Sequence, residues 1–435
     1  MKPTPNRWDV VVAGAGPAGC ATAIELARRG RRVIVLERER FPRFHIGESL
    51  LATVNESLDT LGLRERVRAA GFPEKRGALL STHDGGAGRT VDFAASPEIA
   101  EPRTWQVRRD TFDALLLERA REAGAEVREG VRIEGFDLRP DGGAARLDSG
   151  ERVEAEAVVD ASGRAGLVAR QLGLRREEPR LANVAIYSHF SGIPRPEGEG
   201  SGDIRIVARD DAGWFWLIPI DDRLTSVGLV LPRRLYLGLD KGSPERMLLD
   251  ALAAAPATAE LTREARREWP VRVEKDFSYR AERYAGDRWL LAGDSGSFLD
   301  PVFSTGVSIA LESGIEAAAA LDRALAAGDL SARRFRAFDR VQRRRFEVYR
   351  RFVLAFYTPW FRDLFFQPSA PPLLFRAVVT VLAGRWRPSL TSRALVALFF
   401  LFVGVQRRVR LAEPLARRDA AAGFPLDTAE PEGAA

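Results

Sequence analysis

The stretch that most restricts the fold lies at the start of the chain: WDVVVAGAGPAGCATAIELARRGRRVIVLERE, residues 8–39. An apolar run, a glycine turn, a helix-patterned stretch and a second apolar run make a βαβ unit. The turn reads Gly14, Ala15, Gly16, Pro17, Ala18, Gly19, and Glu37 closes the second run with Arg38 beside it. Glycines there permit a tight turn, close approach of a pyrophosphate to the backbone, and close packing of helix on strand. The helix start then aims its amides and dipole at phosphates, while Glu37 can accept from ribose hydroxyls. A dinucleotide site is therefore predicted, with Arg38 counted at its rim. The turn alone does not choose between NAD and FAD.

Composition narrows the alternatives. At 435 residues, with 46% hydrophobic and 29% charged residues, the chain has the makeup of a globular protein of two or three domains. The single cysteine, Cys20, excludes an intrachain disulfide framework, and three His without metal-ligand spacing argue against a metal site. No apolar signal core precedes the first run, so a cytoplasmic location is expected. The net charge of +6 is concentrated late in the chain. Nine Arg and two acids fall between Arg333 and Arg351 at helical spacing with aromatics, and seven Arg surround the apolar run Ala394 to Val405. That run is too short to span a bilayer, and no nucleic-acid motif accompanies the charge. Packed helices with a solvated basic face are expected, with neither nucleic acid nor membrane as partner, and a loose acidic tail from Glu413.

Further motifs sit at strand ends. Arg108 leads into a helix after WQV, and an apolar strand closes on Asp160-Ala161-Ser162-Gly163. A second apolar strand is read as running to Asp294, before a proline loop and a long Ala-rich helix. Alternating strands fill the region between, including GWFWLIPI, which places Trp214 and Trp216 on one face. Taken alone, that strand reads as core filling, with Pro219 ending it at a sheet edge.

The Asp160 and Asp294 segments resemble the FAD contacts of the aromatic-hydroxylase fold. The resemblance implies an α/β fold of the FAD-binding Rossmann-like type. FAD binding is assigned to residues 1–180 and 274–330, with an inserted antiparallel β-sheet substrate domain at 181–273. A helical, Arg-rich C-terminal region would occupy 331–435. Three stretches are similar to flavin-dependent halogenases in particular. Trp214-Phe215-Trp216-Leu217-Ile218-Pro219 matches their WxWxIP motif, and Phe298, Pro301, Ser304 and Gly306 match FxxPxxSxG. Gly71 to Gly77 resembles the segment carrying their essential lysine, here Lys75, and Gly47-Glu48-Ser49-Leu50-Leu51 resembles their GESLL stretch.

What the resemblance implies is a reaction of reduced FAD, oxygen and halide that yields hypohalous acid, which Lys75 guides to one carbon of the substrate. Gly163, Glu48, Ser49, Arg108, Asp294, Pro301 and Gly306 would join the cofactor site. Backbone amides at Ser304, Thr305 and Gly306 would hold chloride or bromide, although Ser-Thr before a helix is also an ordinary cap. Trp214, Trp216, Pro219, Phe298 and Phe303 would form the active-site wall. Tryptophan halogenases carry Glu where this chain has Phe303, which turns the expectation toward phenols, pyrroles or similar electron-rich rings, free or tethered to an acyl or peptidyl carrier protein. One dinucleotide fingerprint and no NAD(P)H domain imply a separate flavin reductase. The alternatives weighed are a flavin monooxygenase or geranylgeranyl-reductase-like enzyme, which lack the paired-Trp strand, and a non-catalytic flavin-binding protein.

Overall fold

The architecture is that of two large sheets with helices packed on and between them, in a computed structural model that describes residues 7–210, 212–238, 243–366, 371–412 and 414–415. The first sheet is built around the N-terminal βαβ unit. Strand Trp8–Ala13 lies between Val33–Glu37 and Arg152–Asp160, parallel to both, with Val12 opposite Val35 and Val159. Trp289–Leu291 continues the sheet beyond Arg152–Asp160 and Glu126–Glu129 beyond Val33–Glu37. Such strands are covered on both faces, which is why they read as unbroken Val and Ile runs. Helix Pro17–Arg28 packs on the long helix Gly306–Ala326, where the Thr22 hydroxyl reaches Gly314 O at 3.2 Å.

The second apolar strand ends at Leu291, three residues short of the expected Asp294. Gly293, at a φ of +62°, turns the chain into the short 3-10 segment Gly293–Ser295, and this places Asp294 in a loop.

The second sheet runs in the order Ser297–Phe298, Arg272–Ala281, Arg175–Ser191, Leu224–Pro232, Trp214–Pro219, Ile204–Ala208, Gly77–Thr82, Gly88–Asp92. It is not confined to 181–273. Ile204–Ala208 recruits Gly77–Thr82 in parallel, and the hairpin to Gly88–Asp92 forms the far edge. An open ladder of backbone groups takes its partner wherever the chain supplies one, so the boundary drawn from contiguous sequence breaks down there.

The paired-Trp strand is interior, not at an edge. It pairs with Leu224–Pro232 on one side and Ile204–Ala208 on the other, and all six of its residues are buried. Trp214, Trp216 and Ile218 face one core, Phe215 and Leu217 the other. Gly228 sits opposite Trp216, and a Cβ there would lie 2.1 Å from the indole. The Trp216 ring thus lies across Gly228, with its Nε1 donating to Ser226 Oγ at 3.1 Å.

The C-terminal region forms helices Arg336–Phe356, Pro359–Phe365, Pro372–Leu382 and Leu390–Gln406. Its basic side chains are not all solvated. Arg345 is 1% exposed and pairs with Glu312 at 3.2 Å and Glu316 at 2.7 Å, because a buried guanidinium requires carboxylate partners. Among the described residues no helix is long and apolar enough to cross a membrane, and no His/Cys/Asp/Glu group could hold a metal. The expected acidic tail from Glu413 falls almost entirely outside the described residues.

Candidate active site

The glycine turn makes an open cradle at the end of strand Trp8–Ala13. Gly14 adopts a φ of +96°, and a Cβ on it would stand 2.5 Å from Ala161 O, so only glycine fits. Around Gly16, by contrast, the nearest atom to an added Cβ is Arg43 Nη2 at 3.8 Å. Pro17, Ala18 and Gly19 form the buried first turn of the helix, whose Gly16 cap receives no side-chain bond. Glu37 faces this turn: its carboxylate accepts from Ala15 N at 2.7 Å and Glu39 N at 2.9 Å. Arg38 is exposed and pairs with Glu39 at 3.4 Å.

Two cations line this half without having stood out in the sequence. The Arg43 side chain is held by Asp113 at 3.1 Å. Arg109 pairs with the same carboxylate at 2.8 Å and donates to Ile46 O at 2.8 Å. Arg109 is buried, whereas the predicted Arg108 is exposed and pairs with Asp110 at 2.8 Å. In a run of two arginines the burial of one depends on helix phase, which the sequence leaves ambiguous.

The Asp160 carboxylate accepts from Ser162 N at 3.0 Å, Ser162 Oγ at 2.6 Å and Val168 N at 2.7 Å, and so shapes the turn ending at Gly163. Burial nonetheless pushes its carboxyl above the ordinary range. Asp294 differs. Burial pushes its carboxyl up to about 6 against the pull of Arg164 and Arg109.

Across the molecule, Lys75 lines a cavity between the second sheet and the C-terminal helices, together with Leu51, Phe93, Phe303, Ser304 and Phe365. The amine is 1% exposed and donates to Ser49 Oγ and Leu50 O, both at 2.8 Å. Desolvation lowers it to about 7, with the Asp203 charge acting in the opposite direction. Ser304 takes the left-handed conformation at φ 54°, and Thr305 caps the helix beginning at Gly306 without a side-chain hydrogen bond. The ordinary Ser-Thr cap is therefore not what the turn forms. Phe303 meets Phe356 and Phe352 edge to face, at 5.7 and 6.4 Å.

Of the expected wall, Phe303 alone lines this cavity. Trp214 stands behind it, donating from Nε1 to Tyr357 Oη at 2.8 Å; Tyr357 in turn donates to Asp300 at 2.7 Å, which also accepts from Asn183 at 2.7 Å. Trp216 lies tilted against both Trp214 and Tyr187, with ring centroids 5.8 Å apart in each pair. Pro219 closes the strand, and Phe298 lies apart, between Tyr279 and Arg164. Pro301 starts the 3-10 turn that leads to Ser304.

A second pocket is lined by Phe44, Glu48, Arg108, His189 and Trp269. The Glu48 carboxylate meets His189 Nε2 at 2.9 Å, both side chains being buried. His189, a lone His in an alternating strand, carried no signal of this pairing, which spans 141 residues of sequence.

Residues 7–345 match the sequence family described as FAD binding domain. The 1H-pyrrole-2-carbonyl-[peptidyl-carrier protein] brominase of Pseudoalteromonas luteoviolacea is 35% identical over 329 residues, covering 74% of this chain and 79% of that protein. The chain belongs to the flavin-dependent halogenases. The tryptophan 2-halogenase of Chondromyces crocatus is 37% identical to this halogenase over 75% of its chain and 63% of the relative. A solved flavin-dependent brominase superposes with a TM-score of 0.82 at 29% identity, covering 92% of this chain and 99% of the other. FAD is the cofactor of the halogenase, and the open glycine cradle with Glu37 beside it and Arg43 above it suits a dinucleotide.

Proposed function

We propose that this halogenase uses FAD delivered in reduced form by a separate reductase, and halogenates an electron-rich ring of phenol or pyrrole type. The observation that carries the reading is a buried amine, Lys75, in one apolar cavity with Ser304 at the start of a long helix. Gly14, Gly16, Pro17, Ala18 and Gly19 would hold the pyrophosphate with Arg43, and Glu37 the adenosine ribose. Arg109, Asp294, Pro301 and Gly306 would hold the rest, with Glu48 and Ser49 on the facing segment. Bound FAD, once reduced, supplies the electrons by which dioxygen and halide become hypohalous acid.

The remaining chemistry belongs to the chain. Amides at Thr305 and Gly306 bind the halide, since helix N-termini favour anions and a Cβ at Gly306 would meet no atom within 4 Å; Ser304, the third residue expected there, donates its amide to Pro301 O at 2.9 Å instead. Two of the three Lys75 N–H donors serve Ser49 and Leu50. The third is left for the oxygen of hypohalous acid. As the halogen passes to the ring carbon, the halogen–oxygen bond breaks and that oxygen leaves as water with a proton from the Lys75 ammonium. The neutral amine then takes the proton lost by the ring. A lysine lowered to about 7 suits both halves of this cycle.

Phe303 and its aromatic neighbours offer no counter-charge to a cationic ring intermediate, which favours rings that supply their own electron push. The carrier-bound pyrrole named for the brominase relative supports presentation on a carrier protein.

The test is product analysis by mass spectrometry with reductase, NADH, FAD, oxygen and halide, offering phenols and pyrroles free and carrier-bound. Wild type is expected to give halogenated product and Lys75→Ala none, with FAD binding retained. Hydroxylated product from wild type, or halogenation by Lys75→Ala, would overturn the reading.

A further inference from the structure

Lys75 sits on a strand of two residues, Glu74–Lys75, paired with Thr104–Trp105. So short a ladder is too weak to hold a buried amine in one place. Its other side is held by the segment entering strand Ile204–Ala208. Asp203 Oδ1 accepts from Arg76 N at 2.7 Å and Gly77 N at 2.8 Å, the two amides that follow Lys75. Gly202 presses so closely on the strand that a Cβ would stand 1.9 Å from Glu74 O. The Gly202 carbonyl accepts from Gln106 Nε2 at 2.8 Å, and Gln106 is bridged to Ser49, whose hydroxyl receives the Lys75 amine. The chain thus closes a ring of contacts around the lysine, and Asp203 is its charged member, only 6% exposed.

We propose that Asp203 is a positioning residue of the halogenation site: it fixes the Lys75 strand through the two backbone amides that follow the lysine. The inference rests on Lys75 being the group that delivers the halogen. Other charges nearby are engaged elsewhere. Glu74 lies 3.9 Å from Arg103 with both exposed, Arg76 pairs with Glu199, and Asp92 acts on Asp203. The Phe93 ring lies 5.3 Å from Lys75 Nζ, and the cavity walls are otherwise apolar apart from Ser304. Burial disfavours the ammonium and Asp203 opposes burial, so neutralising Asp203 must lower the pH at which Lys75 loses its proton.

The composition offers a direct readout, because the chain has only four lysines, Lys2, Lys75, Lys241 and Lys275. Protein labelled with 13C at lysine Cε gives four side-chain signals, and Lys75→Ala assigns one of them. Asp203→Asn keeps an oxygen for the two amides but removes the charge. The Lys75 signal is expected to titrate at lower pH than in wild type, and kcat to fall more at pH 8 than at pH 6, with FAD binding unchanged. Asp203→Ala, which orphans the amides of Arg76 and Gly77, is expected to cost roughly 100-fold in kcat through misplacement of the amine. Asp203→Glu keeps the charge but shifts the oxygen, so Lys75 should titrate near the wild-type pH while kcat falls. Wild-type titration and an unchanged kcat profile in Asp203→Asn would overturn the inference, even with Lys75→Ala inactive. Halogenation by Lys75→Ala would instead overturn the role of Lys75 itself.

Discussion

The FAD half and the lysine half of this halogenase are assembled in opposite ways. The glycine turn, its strand, its helix and Glu37 come from one run of about thirty residues, joined by neighbouring parallel strands. The cavity around Lys75 draws on residues from Leu51 to Leu382, brought together by long-range pairing and by the C-terminal helices. A phosphate cradle is made by backbone, whose shape follows local sequence. The cavity around Lys75 is made by side chains, whose approach depends on everything between them. Substitutions should therefore fall into two classes, according to which half they touch.

The largest expected effects separate the halves outright. Gly14→Ala should abolish FAD binding, since it combines a left-handed backbone with a clash against Ala161 O; an unaltered flavin absorbance would contradict this. Lys75→Ala should abolish halogenation while flavin absorbance stays normal.

Lys75 also gives the comparison a stability signature. Its folded pKa, about 7, lies below the ordinary 10.5, so the unfolded chain binds more protons between these values. Stability should rise with pH through that window, by up to roughly 5 kcal/mol from this group, and Lys75→Met should flatten the rise in chemical denaturation. A pH slope that Lys75→Met leaves intact would assign the effect elsewhere.

Smaller effects test the wall behind the cavity. Tyr357→Phe removes the donor to Asp300 and the acceptor for Trp214 Nε1, a buried loss of about 1–3 kcal/mol readable in thermal unfolding. Trp216→Ala should leave FAD binding intact but lower the ratio of halogenated product to NADH consumed, or admit hydroxylated product. An unchanged ratio would make Trp216 core filling and nothing more.

Much of this was legible in the chain. The glycine turn, the helix that follows it, the strand ending at Asp160 and the interior-facing Trp pair follow from period and residue type. Lys75 was reached only through the family resemblance of the motifs around it. The Arg43 and Arg109 pair was not legible, because its meaning lies in sharing Asp113. Asp203 was unreadable for the same reason: its partners are amides 126 and 127 residues away. Asp160, read as a cofactor contact, also holds the turn below Gly14, a role that shows only in the folded chain, where Ser162 and Val168 donate to it.

Sequence alone thus determined the dinucleotide cradle and the family, because both are written in contiguous backbone and short motifs. Tertiary structure alone decided which arginine is buried and that the paired-Trp strand is interior. It also placed a lysine beside an acid far along the chain, in a cavity dry enough to lower its amine to about 7. Burial and long-range hydrogen bonding set those outcomes, and both are properties of the packed chain rather than of any segment in it.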